Sequence, residues 1–123
     1  MWDSHRSPLQ EHGHAWEQHA LSYLRKRGLT LIAENYRCKG GELDLIMRDQ
    51  DTVVFVEVRQ RADADHGGPL ASITPAKVRR LLRAAQTWLL TQRHVPPCRF
   101  DIIAIEGADI SWIRNAIEAP TEN

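Results

Sequence analysis

GGELDLIMRDQDTVVFVEVRQR, residues 40–61, is the stretch from which the rest of this 123-residue chain can be read. It divides into two apolar runs, 42–48 and 52–60, each with one carboxylate set among hydrophobic neighbours: Asp44 and Glu57. The runs are rich in β-branched and large apolar residues and are separated by Asp49-Gln50-Asp51, so they read as strands of a hairpin. A two-residue loop at Gln50-Asp51 pairs positions whose numbers sum to about 101. That register sets Ile46 against Phe55, Leu43 against Val58, and Asp44 against Glu57. Directly opposed like charges destabilise a strand pair, and a charge among apolar side chains needs a partner. Two carboxylates there demand a cation.

Period-two alternation puts Val53, Phe55, Glu57 and Arg59 on one face of the second run and Val54, Val56 and Val58 on the other. Both faces are apolar until Glu57. This is the pattern of a central strand covered on both sides, with its chemistry at the C-terminal end.

Upstream, residues 29–37 read as a preceding strand and Cys38-Lys39-Gly40-Gly41 as a turn. Before them a helix is expected over 14–27, capped by Gly28. At 100° per residue from Glu17, Leu24 lies at about −20°, Leu21 at about +40° and Ala20 at about −60°. Glu17 therefore projects from the centre of the apolar stripe, a third acid aimed inward. Residues 1–12 lack periodicity and read as a tail. His5, His12, His14 and His19 are spaced as scattered surface histidines rather than as a ligand set.

Downstream, 61–73 with Gly67-Gly68-Pro69 reads as a loop, either a connector or a flap over the acid pair. Thr74-Pro75 starts a second helix, a capping hydroxyl followed by proline, running to about residue 93. Its core stripe is Val78, Leu81, Leu82, Ala85, Trp88 and Leu89, with Arg79, Arg80 and Arg83 outward. Lys77 sits at the stripe's edge, able to reach back to the sheet. Residues 99–107 and 109–113 supply two more strands. Asp101 shares a face with Arg99, which suits an ion pair more than catalysis. The tail after Ile117 is polar, leaving 13–117 as one domain and 118–123 as an appendage.

Charge balances at 16 basic and 16 acidic residues, so the net value points to no polyanionic partner. The distribution does: between Asp65 and Asp101 there are six basic residues and no acidic one. A basic surface on a neutral protein suits nucleic acid, and Arg79, Arg80 and Arg83 are its candidates. No apolar run reaches the roughly 18 residues of a membrane span, and no apolar leader is visible, so a cytoplasmic, membrane-free protein is expected. Two distant cysteines suit reduced thiols rather than a disulfide or zinc scaffold. No phosphate-cradling or dinucleotide-binding glycine pattern implies a small-molecule cofactor.

The expected order is α-β-β-β-α-β-β, an α/β domain. An Asp, twelve residues and then Glu57-Val58-Arg59, with an upstream helical Glu17, resembles the PD-(D/E)xK nuclease pattern. More closely, the chain resembles the YraN family of bacterial proteins, distant relatives of archaeal Holliday junction resolvases. The likeness runs through Glu17, Ala20, Tyr23-Leu24, Asn35-Tyr36-Arg37, Gly41-Glu42-Leu43-Asp44-Leu45-Ile46, Val54-Phe55-Val56-Glu57-Val58-Arg59, Ile73, Lys77 and Arg99-Phe100-Asp101.

That resemblance implies a restriction-endonuclease-like fold, a mixed central sheet flanked by helices, and metal-dependent cleavage of DNA, branched DNA included. Opposed carboxylates suit Mg²⁺ or Mn²⁺, hard cations that take one or two carboxylates plus waters and substrate oxygens. Asp44 and Glu57 are then the expected ligands, with the Val58 carbonyl as a third and Glu17 as an outer or second-metal ligand. The nuclease pattern has lysine where this chain has Arg59. Arginine keeps its proton, so it cannot be a general base, but it can hold a phosphate bidentately. Lys77 can supply the ammonium. Resolvases of this fold act as dimers, and the apolar residues near Trp112 are the candidate interface. The alternatives are a nucleic-acid-binding module with a vestigial site, and a protein-interaction domain sharing only the fold.

Overall fold

The computed structural model describes residues 8–61 and 73–117, apart from the side chains of 8–14 and of Arg61. The elements run α1 (Pro8–Lys26), β1 (Thr30–Cys38), β2 (Gly41–Asp49), β3 (Thr52–Arg61), α2 (Pro75–Leu89), β4 (Cys98–Glu106) and β5 (Asp109–Ile117). This is the expected α-β-β-β-α-β-β order. The strands form one sheet in the order β1-β2-β3-β4-β5. Only β3 and β4 are parallel, joined through α2, so the sheet is mixed.

β3 is the middle strand, and the two faces it was expected to cover are the two cores. Val53 and Phe55 pack with Leu81, Ala84, Ala85 and Trp88 of α2. Val54 and Val56 pack with Ala20, Leu21 and Leu24 of α1. The helices therefore cover opposite faces, an arrangement compatible with a restriction-endonuclease-like fold. Phe55 meets Trp88 edge-on at 5.9 Å and Phe100 at 5.1 Å, which seats α2 on β3 and β4.

Thr74 caps α2, its hydroxyl accepting from Lys77 N at 3.1 Å, with Pro75 in the first turn. Three boundaries differ from expectation by more than one residue. α1 begins at Pro8 rather than 14, so residues 8–12, expected in the tail, are helical; proline is well suited to a first turn, where its missing N–H costs nothing. α2 ends at Leu89, before 93, because tight turns intervene: Thr91 N and Gln92 N donate to Trp88 O and Leu89 O. β5 continues to Ile117 because Asn115, at φ 53, absorbs a bulge without ending the strand. Residues 1–7 and 118–123 of the expected tails, and 62–72 of the connector proposed as a flap, lie outside the described residues, as does His5.

Candidate metal and phosphate site

The β2–β3 register is the one the loop length implies. Leu45↔Val56, Ile46↔Phe55, Met47↔Val54, Arg48↔Val53 and Asp49↔Thr52 are partners, and Gln50 takes the positive φ of a tight turn, 57°. The ladder then stops. Asp44 and Glu57 are not backbone partners, which corrects the direct opposition expected from sequence. Like charges at the short separation of a strand pair are costly, and here β2 turns aside at that residue. Leu43 lines the α2-side core while Leu45, two residues on, lines the α1-side core, so alternation breaks at Asp44. Across β2 the same spot carries Asn35 at φ 50, left out of the β1–β2 pairing between Glu34↔Leu45 and Tyr36↔Leu43.

The opening puts the Asp44 carboxylate where a backbone carbonyl of β2 would have been. Asp44 Oδ2 accepts from Val58 N at 2.8 Å. Its side chain also meets Glu57. Glu57, 4% exposed, has Oε2 at 3.2 Å from Arg59 Nε and 3.5 Å from Lys77 Nζ. Its other oxygen, Oε1, is buried and receives no hydrogen bond among the described residues; neither does Glu17 Oε1. Lys77 reaches back from the edge of α2, as its place on the helix predicts.

Electrostatics follow from this crowding. Burial and then the Asp44 charge push Glu57 up to about 8, against the pull of Lys77 and Arg59. Burial also raises Asp44, with the Val58 N–H opposing. Glu17 is raised to about 7 by burial and by Asp44, while the Asn35 side chain favours its ionised form. Two cations thus offset less charge than three inward carboxylates would carry.

Asp101 shows what a satisfied buried carboxylate looks like in this protein. At 1% exposure it accepts from Arg99 Nε at 3.1 and 3.2 Å, Trp112 Nε1 at 2.9 Å and Asn115 N at 2.9 Å. Arg99 continues to Asp49 at 3.1 Å. The expected ion pair is present, inside a larger network. Trp112, the candidate dimer contact, has its indole N–H committed to Asp101 and Arg114 stacked on its ring at 4.0 Å.

Arg79, Arg80 and Arg83 lie exposed along α2, as expected, and line a groove with Lys39, Gly40 and Ala76. Arg80 is 3.9 Å from Glu42, which also has Arg37 at 3.7 Å. Sequence reasoning missed Lys39, Glu42 and Asn35. Asn35 carried a signal, since asparagine tolerates a left-handed backbone that other strand residues resist; Lys39 carried only its place beside a glycine turn. His19 is exposed, and among the described residues no three acidic, histidine or cysteine side chains form a ready chelate. No helix among them is long and apolar enough to cross a membrane.

Residues 16–105 match the model of the uncharacterised protein family UPF0102. The chain is 54% identical over 114 residues to a UPF0102 protein of Herminiimonas arsenicoxydans, covering 93% of this chain and 92% of that one. It is 55% identical over 109 residues to one from Ralstonia pickettii, 85% and 87% of the two chains. With one from Cupriavidus pinatubonensis it shares 46% over 122 residues, 98% and 96%. The matched span contains Glu17, Asp44, Glu57, Arg59 and Lys77, and on that breadth of similarity the chain belongs to UPF0102, the YraN family.

Proposed function

We propose that this protein is a Mg²⁺- or Mn²⁺-dependent endonuclease that hydrolyses phosphodiester bonds of DNA. The observation that carries the reading is the acid pair itself: Asp44 and Glu57 meet side chain to side chain where the β2–β3 pairing stops, and no N–H among the described residues reaches the buried Glu57 Oε1. A buried acceptor left unmet costs about 1–3 kcal/mol and calls for an explanation. Asp101, in a neighbouring strand, shows that this chain can satisfy such a group when its role is structural.

The donor set fits a hard divalent ion that keeps several waters, since two carboxylates suffice for it. Asp44 and Glu57 would hold the ion, with the Val58 carbonyl and Glu17 as further oxygen donors. When bound, it supplies a lowered water pKa and charge neutralisation on the phosphate. The remaining work falls to the chain's own residues. The Arg59 fork and the Lys77 ammonium stand beside Glu57 and can grip a phosphate and offset charge developing on it. The Val58 N–H fixes Asp44 so that it needs no reorganisation.

A nucleic-acid-binding module with a vestigial site is favoured by one observation: Arg59 and Lys77 already offset part of the Glu57 charge. Labelled duplex, flap and four-way-junction DNA, incubated with Mg²⁺ or Mn²⁺, separates the readings. Cleavage by the native chain, reduced about 100-fold or more in Asp44→Ala and Glu57→Ala, is the expected result. Equal activity in all three would mark a contaminant, and salt-sensitive binding without cleavage would mark the module. If Arg59→Ala and Lys77→Ala both cleave normally, their assigned roles fail.

A further inference from the structure

Lys39, Arg79 and Arg83 line one groove and have no anionic partner among the described residues, while Arg80, the fourth cation there, only grazes Glu42 at 3.9 Å. None of the lining residues is acidic. Like charges gathered without a counter-charge repel, and a protein free to choose would disperse them. Here the backbone holds them together. A Cβ on Gly41 would stand 2.2 Å from Arg80 O, so the turn between β1 and β2 is seated directly on α2. Gly40, at φ 87, lies under the Arg83 stem, whose Cδ is 3.5 Å from where a Cβ would be. The turn supplies Lys39 as one wall and α2 supplies three guanidinium groups as the other.

The groove and the acid pair both draw on α2, the one through Arg79, Arg80 and Arg83 and the other through Lys77. Lys77, at Glu57, and Arg80, in the groove, are three residues apart on α2 and therefore neighbours along its surface. An anion filling the groove and continuing to the site must carry repeated charges, and planar guanidinium forks match phosphate oxygens. The lining is Lys39, Gly40, Ala76 and three arginines, with no aromatic ring to stack a base and no amide to read one. Proteins that grip single strands use such stacking rings.

We propose that the groove between the β1–β2 turn and α2 binds the sugar-phosphate backbone of base-paired nucleic acid without reading its sequence, Lys39 forming the wall opposite Arg79, Arg80 and Arg83. The choice of a nucleic acid as the polyanion rests on the phosphodiester reading of the adjacent acid pair.

Fluorescence anisotropy in EDTA tests it, using two duplexes of unrelated sequence, their single strands and a polyglutamate peptide. The native chain is expected to bind both duplexes within about twofold of each other and at least about fivefold tighter than the single strands or the peptide. Lys39→Ala, Arg79→Ala and Arg83→Gln, the last keeping its stem over Gly40, should each weaken duplex binding about five- to tenfold near 0.1 M salt. Each should also lower the salt slope by about 1. Tighter binding of single strands or peptide, discrimination between the duplexes, or indifference to all three substitutions overturns the proposal. Groove-dependent duplex binding without cleavage would sink the nuclease reading alone; cleavage with binding indifferent to the three substitutions would sink the groove alone.

Discussion

Asp101 and Glu57 are both carboxylates buried in the central sheet, and their surroundings give them opposite energetic signs. Asp101 collects donors from Arg99, Trp112 and Asn115. Replacing it by asparagine leaves donors unmet and should cost about 1–3 kcal/mol, read from a urea denaturation midpoint. Burial and then the neighbouring Asp44 charge hold the Glu57 pKa up at about 8, and its Oε1 meets no N–H among the described residues. In metal-free buffer at pH 8, Glu57→Gln should therefore stabilise the fold relative to the native chain, while abolishing cleavage. A loss of stability equal to that of Asp101→Asn would show that Glu57 is a structural ion-pair residue. The sequence marked both acids by their apolar settings, and the pairing of Asp101 with Arg99 was legible from their shared face. The Trp112 contact was not, because it depends on the β4–β5 register that sets Trp112 against Ile103, nor was the Asn115 contact, which depends on a bulge in β5 that leaves no simple period in the sequence.

At the scale of elements, the site exists because β2 parts from β3 at Asp44 and because α2 is pressed onto the start of β2. Gly41 is the contact: any side chain there meets the Arg80 carbonyl at 2.2 Å. Gly41→Ala should destabilise by about 1–3 kcal/mol through overpacking and should weaken duplex binding as the groove walls separate. Unchanged stability together with unchanged binding would mean that the turn can shift without consequence. The order of elements, the hairpin register and the Thr74 cap were legible because each rests on local periodicity or on one residue type. The opening at Asp44 was not. A two-residue loop fixes where pairing begins, whereas where it ends depends on charges meeting across the strands and on the left-handed Asn35 behind them. The same limit hid Lys39, which joins the groove only because the turn folds onto α2.

For the molecule as a whole, stability should depend on pH in a sense set by the raised carboxyls. Glu17 at about 7 and Glu57 at about 8 lie above their unfolded value of 4.5, so between those limits the folded chain holds more protons than the unfolded one. Their contribution is full below about pH 4.5 and is lost as pH rises through about 7 and about 8. Thermal melts in EDTA should accordingly fall in midpoint from pH 5 to pH 8, and Glu57→Gln should flatten the curve. Mn²⁺ at pH 8 should restore the midpoint of the native chain, since a ligand that binds only the folded state stabilises it by mass action. The most direct measurement is a crystal of the native chain soaked in Mn²⁺ with anomalous data collected. The account predicts a manganese peak between the Asp44 and Glu57 carboxylates. An empty site, with Lys77 and Arg59 still paired to Glu57, would contradict it.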